Sequence, residues 1–275
     1  MTSDRISEVD QKGESLLVAR NLSLRFGGAS VLDDVSLTVD GEEVVGVIGP
    51  NGAGKTALVN CISGVYKPDS GQVSFAGKLI SGMRPERIAK MGVARAFQHP
   101  ELAIREATVL DSVLLGTHND LGVGLITSAL ALPKARAADR RAKSTAIAAL
   151  EALGIADSAN HLVATLPYGT LKLVEIARAL AMSPRLLILD EPSSGVAEAD
   201  RGRVTRLLAG WASARSAVIL IEHDLEVLAS VCTRVVALSR GRIVAQGQLS
   251  DVLEVPEFRD IYAAQGTKRG GESAM

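Results

Sequence analysis

Gly49-Pro50-Asn51-Gly52-Ala53-Gly54-Lys55-Thr56 satisfies every fixed position of the pattern G-x-x-x-x-G-K-[ST], and it follows directly on the apolar run Val44-Val45-Gly46-Val47-Ile48. No other stretch constrains the fold as much. A strand that feeds a glycine-rich turn and then opens a helix aims successive backbone N–H groups at one point, and the helix dipole adds its positive end. Such a turn is a cradle for the phosphates of a nucleotide. Lys55 is placed to reach the β- and γ-phosphates, and the Thr56 hydroxyl to ligate Mg²⁺. An ordinary glycine turn before a helix does not need all of these fixed positions at once.

The length of 275 residues, 47% of them hydrophobic, gives room for a full core in one large domain or two unequal lobes. With 30 basic against 31 acidic side chains, nothing global draws the chain to nucleic acid or to an anionic membrane. The cysteines, Cys61 and Cys232, lack metal-type spacing and neighbouring histidines, which fits two buried, reduced thiols in a cytoplasmic protein. Residues 1–15 are polar and of mixed charge, unlike the apolar core of a signal peptide. The longest apolar stretch, Leu121–Leu132, contains two glycines and is too short to span a membrane.

Apolar strands alternate with helical patterns along most of the chain, the arrangement of an α/β core. Leu16–Phe26 and Val35–Val39 read as strands of an antiparallel edge, with turns at Gly27-Gly28 and Asp40-Gly41. After the phosphate loop come a helix over Lys55–Ser63, a strand at Gln72–Phe75, a helix at Pro85–Met91 and a strand at Val93–Phe97. From Thr108 to about Leu166 the composition is alanine-rich and helical in period, the mark of an inserted helical lobe. Strands resume at Leu186–Leu189, Val218–Ile221, Arg234–Leu238 and Arg242–Gln246, with helices at Leu171–Met182 and Glu198–Ala214. The expected organisation is one nucleotide-binding domain over 15–265, with a helical subdomain at about 108–183 and flexible termini at 1–14 and 266–275.

A second chemical signal is Leu186-Leu187-Ile188-Leu189-Asp190-Glu191-Pro192, where four aliphatics carry two carboxylates to the end of a strand. Asp190 suits a Mg²⁺ shell, and Glu191 suits proton acceptance from the water that attacks a γ-phosphate. Alone, the pair is as readily a solvated turn. Further on, Ile219-Leu220-Ile221-Glu222-His223-Asp224 sets a histidine at another strand end, where it can contact the γ-phosphate and hold Glu191.

From Leu16 to Tyr262 these motifs resemble, in content and in order, the ATP-binding subunits of ABC transporters. The resemblance implies a mixed sheet with helices, an antiparallel β edge and an inserted helical subdomain. It also implies ATP and Mg²⁺ as ligands. Phe26, in Arg25-Phe-Gly-Gly28, is similar to the aromatic that stacks on adenine. Gln98 resembles the loop glutamine that touches Mg²⁺ and relays its state to the membrane subunit. Pro167, Tyr168, Gly169 and Thr170 occupy the signature position, which in the family meets ATP held by the opposite subunit of a head-to-tail dimer. Against the common L-S-G-G-Q pattern, Pro167 stands for the serine, Tyr168 for the first glycine and Thr170 for the glutamine, and of these four Gly169 alone is kept. Ala57 replaces a residue that commonly contacts the α-phosphate, leaving its backbone N–H to serve, and Ala197 replaces the usual Asp or Asn of the loop after Glu191.

Gly64-Val-Tyr-Lys-Pro-Asp-Ser-Gly71, Ala94-Arg-Ala-Phe-Gln98, Glu175-Ile-Ala-Arg-Ala-Leu-Ala181 and the segment Gly116–Ala142 look like the larger ATPase subunit of branched-chain amino acid importers. The basic cluster Arg136, Arg140, Arg141 and Lys143 reads as a solvated helix face, with a membrane-subunit or lipid contact as the alternative. The resemblance implies a homologous second ATP-binding subunit, a heterodimer being expected over a homodimer. It also implies transmembrane permease subunits, an indirect link to a periplasmic or surface substrate-binding protein, and a peripheral place on the cytoplasmic face of the membrane. No nucleic-acid partner is expected. The alternatives are the ATPase of a lipid-export system and a non-transport ABC ATPase.

Overall fold

The computed structural model describes residues 15–96, 106–117, 133–212, 216–256 and 258. They divide into two compact units, one holding the residues up to 83 and from 232 onward, the other 84–231.

In the first unit β1 (Leu17–Phe26) and β2 (Ala29–Val39) form an antiparallel hairpin. Inward-facing Leu17 and Ala19 give way to Leu22 and Leu24, a change of phase by one residue. Asn21 absorbs it, at φ 51 and at a break in register, so that both halves of the strand present their apolar side to the core. β4 (Ser70–Phe75) pairs antiparallel with β1, and the two-residue β5 (Lys78–Leu79) with β4. A separate mixed group joins β3 (Val44–Ile48) in parallel to β9 (Arg234–Ser239), which pairs antiparallel with β10 (Arg242–Gly247). All five residues of β3 are buried, as a strand covered on both faces requires, and this is why its sequence is an unbroken apolar run. α1 (Lys55–Ile62) follows the glycine loop and buries every residue but Thr56, whose hydroxyl is left at the surface.

In the second unit β6 (Val93–Ala96), β7 (Leu186–Asp190) and β8 (Ala217–Ile221) run parallel in that order. α2 (Pro85–Lys90) starts on a proline, whose fixed φ suits the first helical position. α3 (Val109–Thr117), α4 (Pro133–Ala152) and α5 (Tyr168–Ala181) pack on one another. Gly116 lets α3 approach α5 closely, since a Cβ there would overlap the Arg178 carbonyl oxygen. On α4 the side chains of Ala142, Ala146, Ala149 and Leu150 turn inward, while Arg136, Arg140, Arg141 and Lys143 are exposed. α6 (Glu198–Ala212) and α7 (Leu225–Val231) complete the unit.

Several elements differ from the sequence reading. The strand expected at Val35–Val39 begins at Ala29, because pairing with β1 continues through the buried Leu32 to Ala29, past the polar pair Asp33-Asp34 that interrupts the apolar pattern. The helix expected at Leu171–Met182 begins at Tyr168, because the φ and ψ of Pro167, −58 and 150, set it as the cap just ahead of the first turn. β5, α7 and α8 (Leu249–Leu253) were not anticipated; each is too short to show a period. Cys61 is buried as expected, but Cys232, at the end of α7, is only partly so. Among the described residues no helix is long and apolar enough to cross a membrane. Phe97, Gln98, Leu121–Leu132 and residues 1–14 and 266–275 lie outside the described residues.

Candidate functional site

The loop between β3 and α1 is shaped by backbone contacts that leave no room for side chains. Gly49 has φ 152, and a Cβ there would overlap the Leu238 carbonyl oxygen at the end of β9. Gly54 caps α1 at φ 106, and its Cβ would stand 2.7 Å from the Val31 carbonyl oxygen of β2. Ala53 N–H donates to Pro50 O at 3.1 Å, and Gly241 N–H donates to Ala53 O at 3.0 Å, closing the turn against the β9–β10 hairpin. Lys55 is 7% exposed, and its ammonium donates to Gly49 O at 2.7 Å and Pro50 O at 3.1 Å. The cation therefore lies along the carbonyls of its own loop. Asn51 and Gly52 are exposed at the loop tip, and Ala57 is buried one turn into α1. Phe26 is 50% exposed and meets Tyr66 edge to face, with centroids 5.2 Å apart and planes at 74°. Tyr66 thus fixes one edge of the Phe26 ring and leaves its other surface open for stacking.

In the second unit, the parallel register of β7 and β8 places Asp190 beside Ile221, so the residues following each strand end are neighbours. Asp190 is buried, and Arg95 of β6 donates to its Oδ2 at 3.1 Å. Glu191 takes φ 52, a left-handed conformation that costs a non-glycine residue about 1–3 kcal/mol and persists only where the surroundings hold it. Its N–H donates to Ile221 O at 2.9 Å. Its carboxylate Oε1 lies 2.7 Å from His223 Nε2, and both side chains are partly exposed, 29% and 37%. A carboxylate held by an imidazole and open to solvent can take a proton from water.

Buried polar groups surround this pair. Glu222, 3% exposed, accepts from the N–H groups of Ser193 and His223, each at 2.9 Å. Lys172 of α5 donates to Glu191 O at 3.0 Å and to Ser194 O. Burial pulls the Lys172 pKa down, and the nearby Glu191, Glu222 and Asp190 carboxylates oppose that pull. Glu175, one turn on, is pushed up by burial and drawn back by its partner Arg178. Glu191 lines a small cavity together with Lys172, Glu175, Asp190 and Pro192.

Pro167 is exposed at the start of α5, and Gly169 and Thr170 lie half-buried in its first turn, where backbone N–H groups point along the axis toward any bound anion. The Tyr168 ring rests against Gly195, whose own Cβ would come within 2.9 Å of it. Ala197 is exposed at the end of the same loop. Asp190, Glu191 and His223 are thus brought together in one unit, and Phe26 with Gly49–Ala57 belongs to the other; Gln98 lies outside the described residues. Sequence reading passed over Lys172, Glu222 and Arg95. Their signal was there: each is a charged residue in a run that buries its neighbours, and a buried charge needs a partner.

The family model described as ABC transporter matches residues 32–194. The chain is 34% identical over 253 residues to the high-affinity branched-chain amino acid transport ATP-binding protein LivG of Salmonella typhimurium, covering 92% of this chain and 99% of that protein. It is 33% identical to BraF of Pseudomonas aeruginosa, a protein of the same description, with 91% and 98% covered. Among solved structures, a nucleotide-free ATP-binding cassette from an ABC transporter superposes with a TM-score of 0.77 at 30% identity, over 90% of this chain and 99% of that one. An ABC transporter cassette in its ADP conformation gives the same TM-score and identity over 91% and 99%. A glycine loop ready for a nucleotide, a carboxylate–imidazole pair at neighbouring strand ends and near full-length likeness to these cassettes have one reading: the chain belongs to the ABC transporter family and is an ATP-binding cassette ATPase.

Proposed function

We propose that this cassette powers an importer of branched-chain amino acids or chemically similar small polar solutes, as a peripheral subunit on the cytoplasmic face of the membrane. The names of LivG and BraF, each matched over nearly its whole length, support that cargo class. The working assembly in this reading pairs the chain with a homologous second ATP-binding subunit, two permease subunits and a substrate-binding protein that delivers the solute.

Within the cassette, Phe26 stacks on adenine, and the backbone of Gly49–Ala57 with the Lys55 ammonium holds the phosphates. The Thr56 hydroxyl and the Asp190 carboxylate are oxygen donors of the hard type that Mg²⁺ takes, and Gln98 is a further candidate ligand. The ion when bound would draw charge from the β- and γ-phosphate oxygens. Glu191 accepts a proton from the attacking water, and His223 fixes that carboxylate and meets the γ-phosphate. Pro167–Thr170 offers the first turn of α5 to the ATP of the partner cassette.

The observation that carries the hydrolytic reading is the 2.7 Å contact between Glu191 and His223 at adjacent strand ends. The test is uptake of labelled leucine, isoleucine and valine by cells lacking this gene, complemented with wild type or Glu191→Gln. Wild type is expected to restore uptake and the variant to fail while still binding MgATP. Unchanged uptake of all three in the deletion strain refutes the cargo assignment, and restoration by the variant refutes the role of Glu191.

A further inference from the structure

Glu191 is held in a strained conformation, and the groups that hold it come from outside its own strand. The loop after β7 is gripped at both ends by α5. At the far end the Tyr168 ring lies on Gly195, which takes φ 72. At the near end Lys172, one helical turn further and 8% exposed, donates to the carbonyls of Glu191 and Ser194. Its ammonium also lies 5.5 Å from the Tyr168 ring centroid, so the two side chains make one clamp. From the opposite side the Glu222 carboxylate takes the Ser193 and His223 N–H groups. Acceptors of the loop thus face a buried base, and its donors face a buried acid.

We infer that Lys172 is a positioning residue for Glu191: by holding the carbonyls of Glu191 and Ser194 it fixes the left-handed backbone that aims the Glu191 carboxylate at His223, and it ties that aim to the first turns of the signature helix. The inference rests on Glu191 being the base. Its consequence is that a shift at Tyr168–Thr170, the turn offered to the partner's nucleotide, displaces the base of the same chain. Burial of Lys172 accords with this role, because a desolvated ammonium holds a carbonyl more tightly than one in water.

The full-length chain tests it with Lys172→Met, Lys172→Arg and Glu191→Gln. In hydrogen exchange, Lys172→Met is expected to speed the amides of residues 193–196 by about tenfold or more while α5 and β7 stay protected, as loss of a local restraint does. In MgATP turnover the same variant is expected to lose about tenfold or more in kcat with KM within about twofold, the pattern of a misaimed base rather than a lost binding group. Lys172→Arg keeps donors at the carbonyls and should restore both readouts to within about threefold of wild type. Normal exchange at 193–196 in Lys172→Met overturns the proposal, as does equal loss from Arg and Met. If the Met variant does not fold, the Arg variant decides alone: normal exchange supports the clamp, and general loss of protection across α5 overturns it. Glu191→Gln separates the two readings, because near-normal turnover there removes the base itself, whereas an inactive Glu191→Gln beside a fully active Lys172→Met removes only the positioning role.

Discussion

His223 Nε2 stands 2.7 Å from Glu191 Oε1, with the imidazole just past the end of β8 and the carboxylate just past the end of β7. Neither side chain reaches the other by sequence proximity. The contact exists because parallel pairing puts Asp190 opposite Ile221, and the Glu191 N–H extends that pairing by one more bond to Ile221 O. The backbone of Glu191 then turns through φ 52, which swings its side chain away from the buried strand.

Two groups acting as one unit should not have additive effects. Removing either the Glu191 carboxylate or the His223 ring is expected to lower kcat by about 10²–10⁴-fold, the range for a positioned general base. The double variant Glu191→Gln/His223→Ala should be no worse than the more damaged single variant, since each loss already disables the pair. Steady-state phosphate release at saturating MgATP measures the cycle. Full additivity of the two losses means the residues work apart.

Gly49→Ala isolates the backbone of the phosphate loop. The added Cβ meets the Leu238 carbonyl oxygen, and φ 152 is strained for alanine, so the variant should lose about 1–3 kcal/mol of stability together with much of its nucleotide affinity. Gly28→Ala is the control: nothing lies within 4 Å of its Cβ. That change should stay within about 0.5 kcal/mol, as exposed substitutions do. Urea unfolding and a MgATP titration on both variants check the pair, and equal behaviour of the two contradicts the close approach at Gly49.

The order of strands and helices was legible because buried parallel strands are unbroken apolar runs, as at Leu186–Leu189 and Val218–Ile221, and because Gly49–Thr56 fixes what lies on either side of it. The carboxylates and the histidine stood out for the same reason, each following such a run. What stayed hidden depends on contacts distant in sequence. Nothing near Lys172 reveals that Glu191 and Ser194 turn their carbonyls toward it, and nothing near Arg95 points to Asp190. α5 starts three residues ahead of the expected Leu171 because Pro167, as its cap, sets residues 168–170 into the first turn.

Thiol chemistry should distinguish the two cysteines. Burial in α1, with a smaller contribution from Asp69, pushes the Cys61 thiol up to about 11 from an ordinary 9.0. At pH 8 iodoacetamide is therefore expected to modify the partly exposed Cys232 first and to reach Cys61 only on unfolding. The sign of the linked stability effect follows: the unfolded thiol ionises first, so the contribution of the neutral folded thiol is complete below pH 9 and is lost as pH rises toward 11. Peptide mapping of the alkylated protein decides, and equal labelling of both thiols in the folded state contradicts the burial of Cys61.

Lys55→Met separates two things the lysine does. In the absence of nucleotide its ammonium serves the carbonyls of Gly49 and Pro50, so methionine, which keeps most of the stem but no donor, should cost the folded protein about 1–3 kcal/mol for buried acceptors left without that partner. With nucleotide present the larger loss is the charge facing the phosphates. A ligand that binds only the folded state raises its stability by RT ln(1 + [L]/Kd), so a hundredfold excess over Kd is worth about 2.7 kcal/mol. The melting temperature of the variant should therefore fall modestly without ligand, and the further rise that MgATP gives the wild type should largely disappear. Thermal melts with and without MgATP, across a concentration series, resolve the two terms. An unchanged MgATP-induced rise would place the phosphate-facing charge somewhere other than Lys55, whatever happened to the melting point of the free protein.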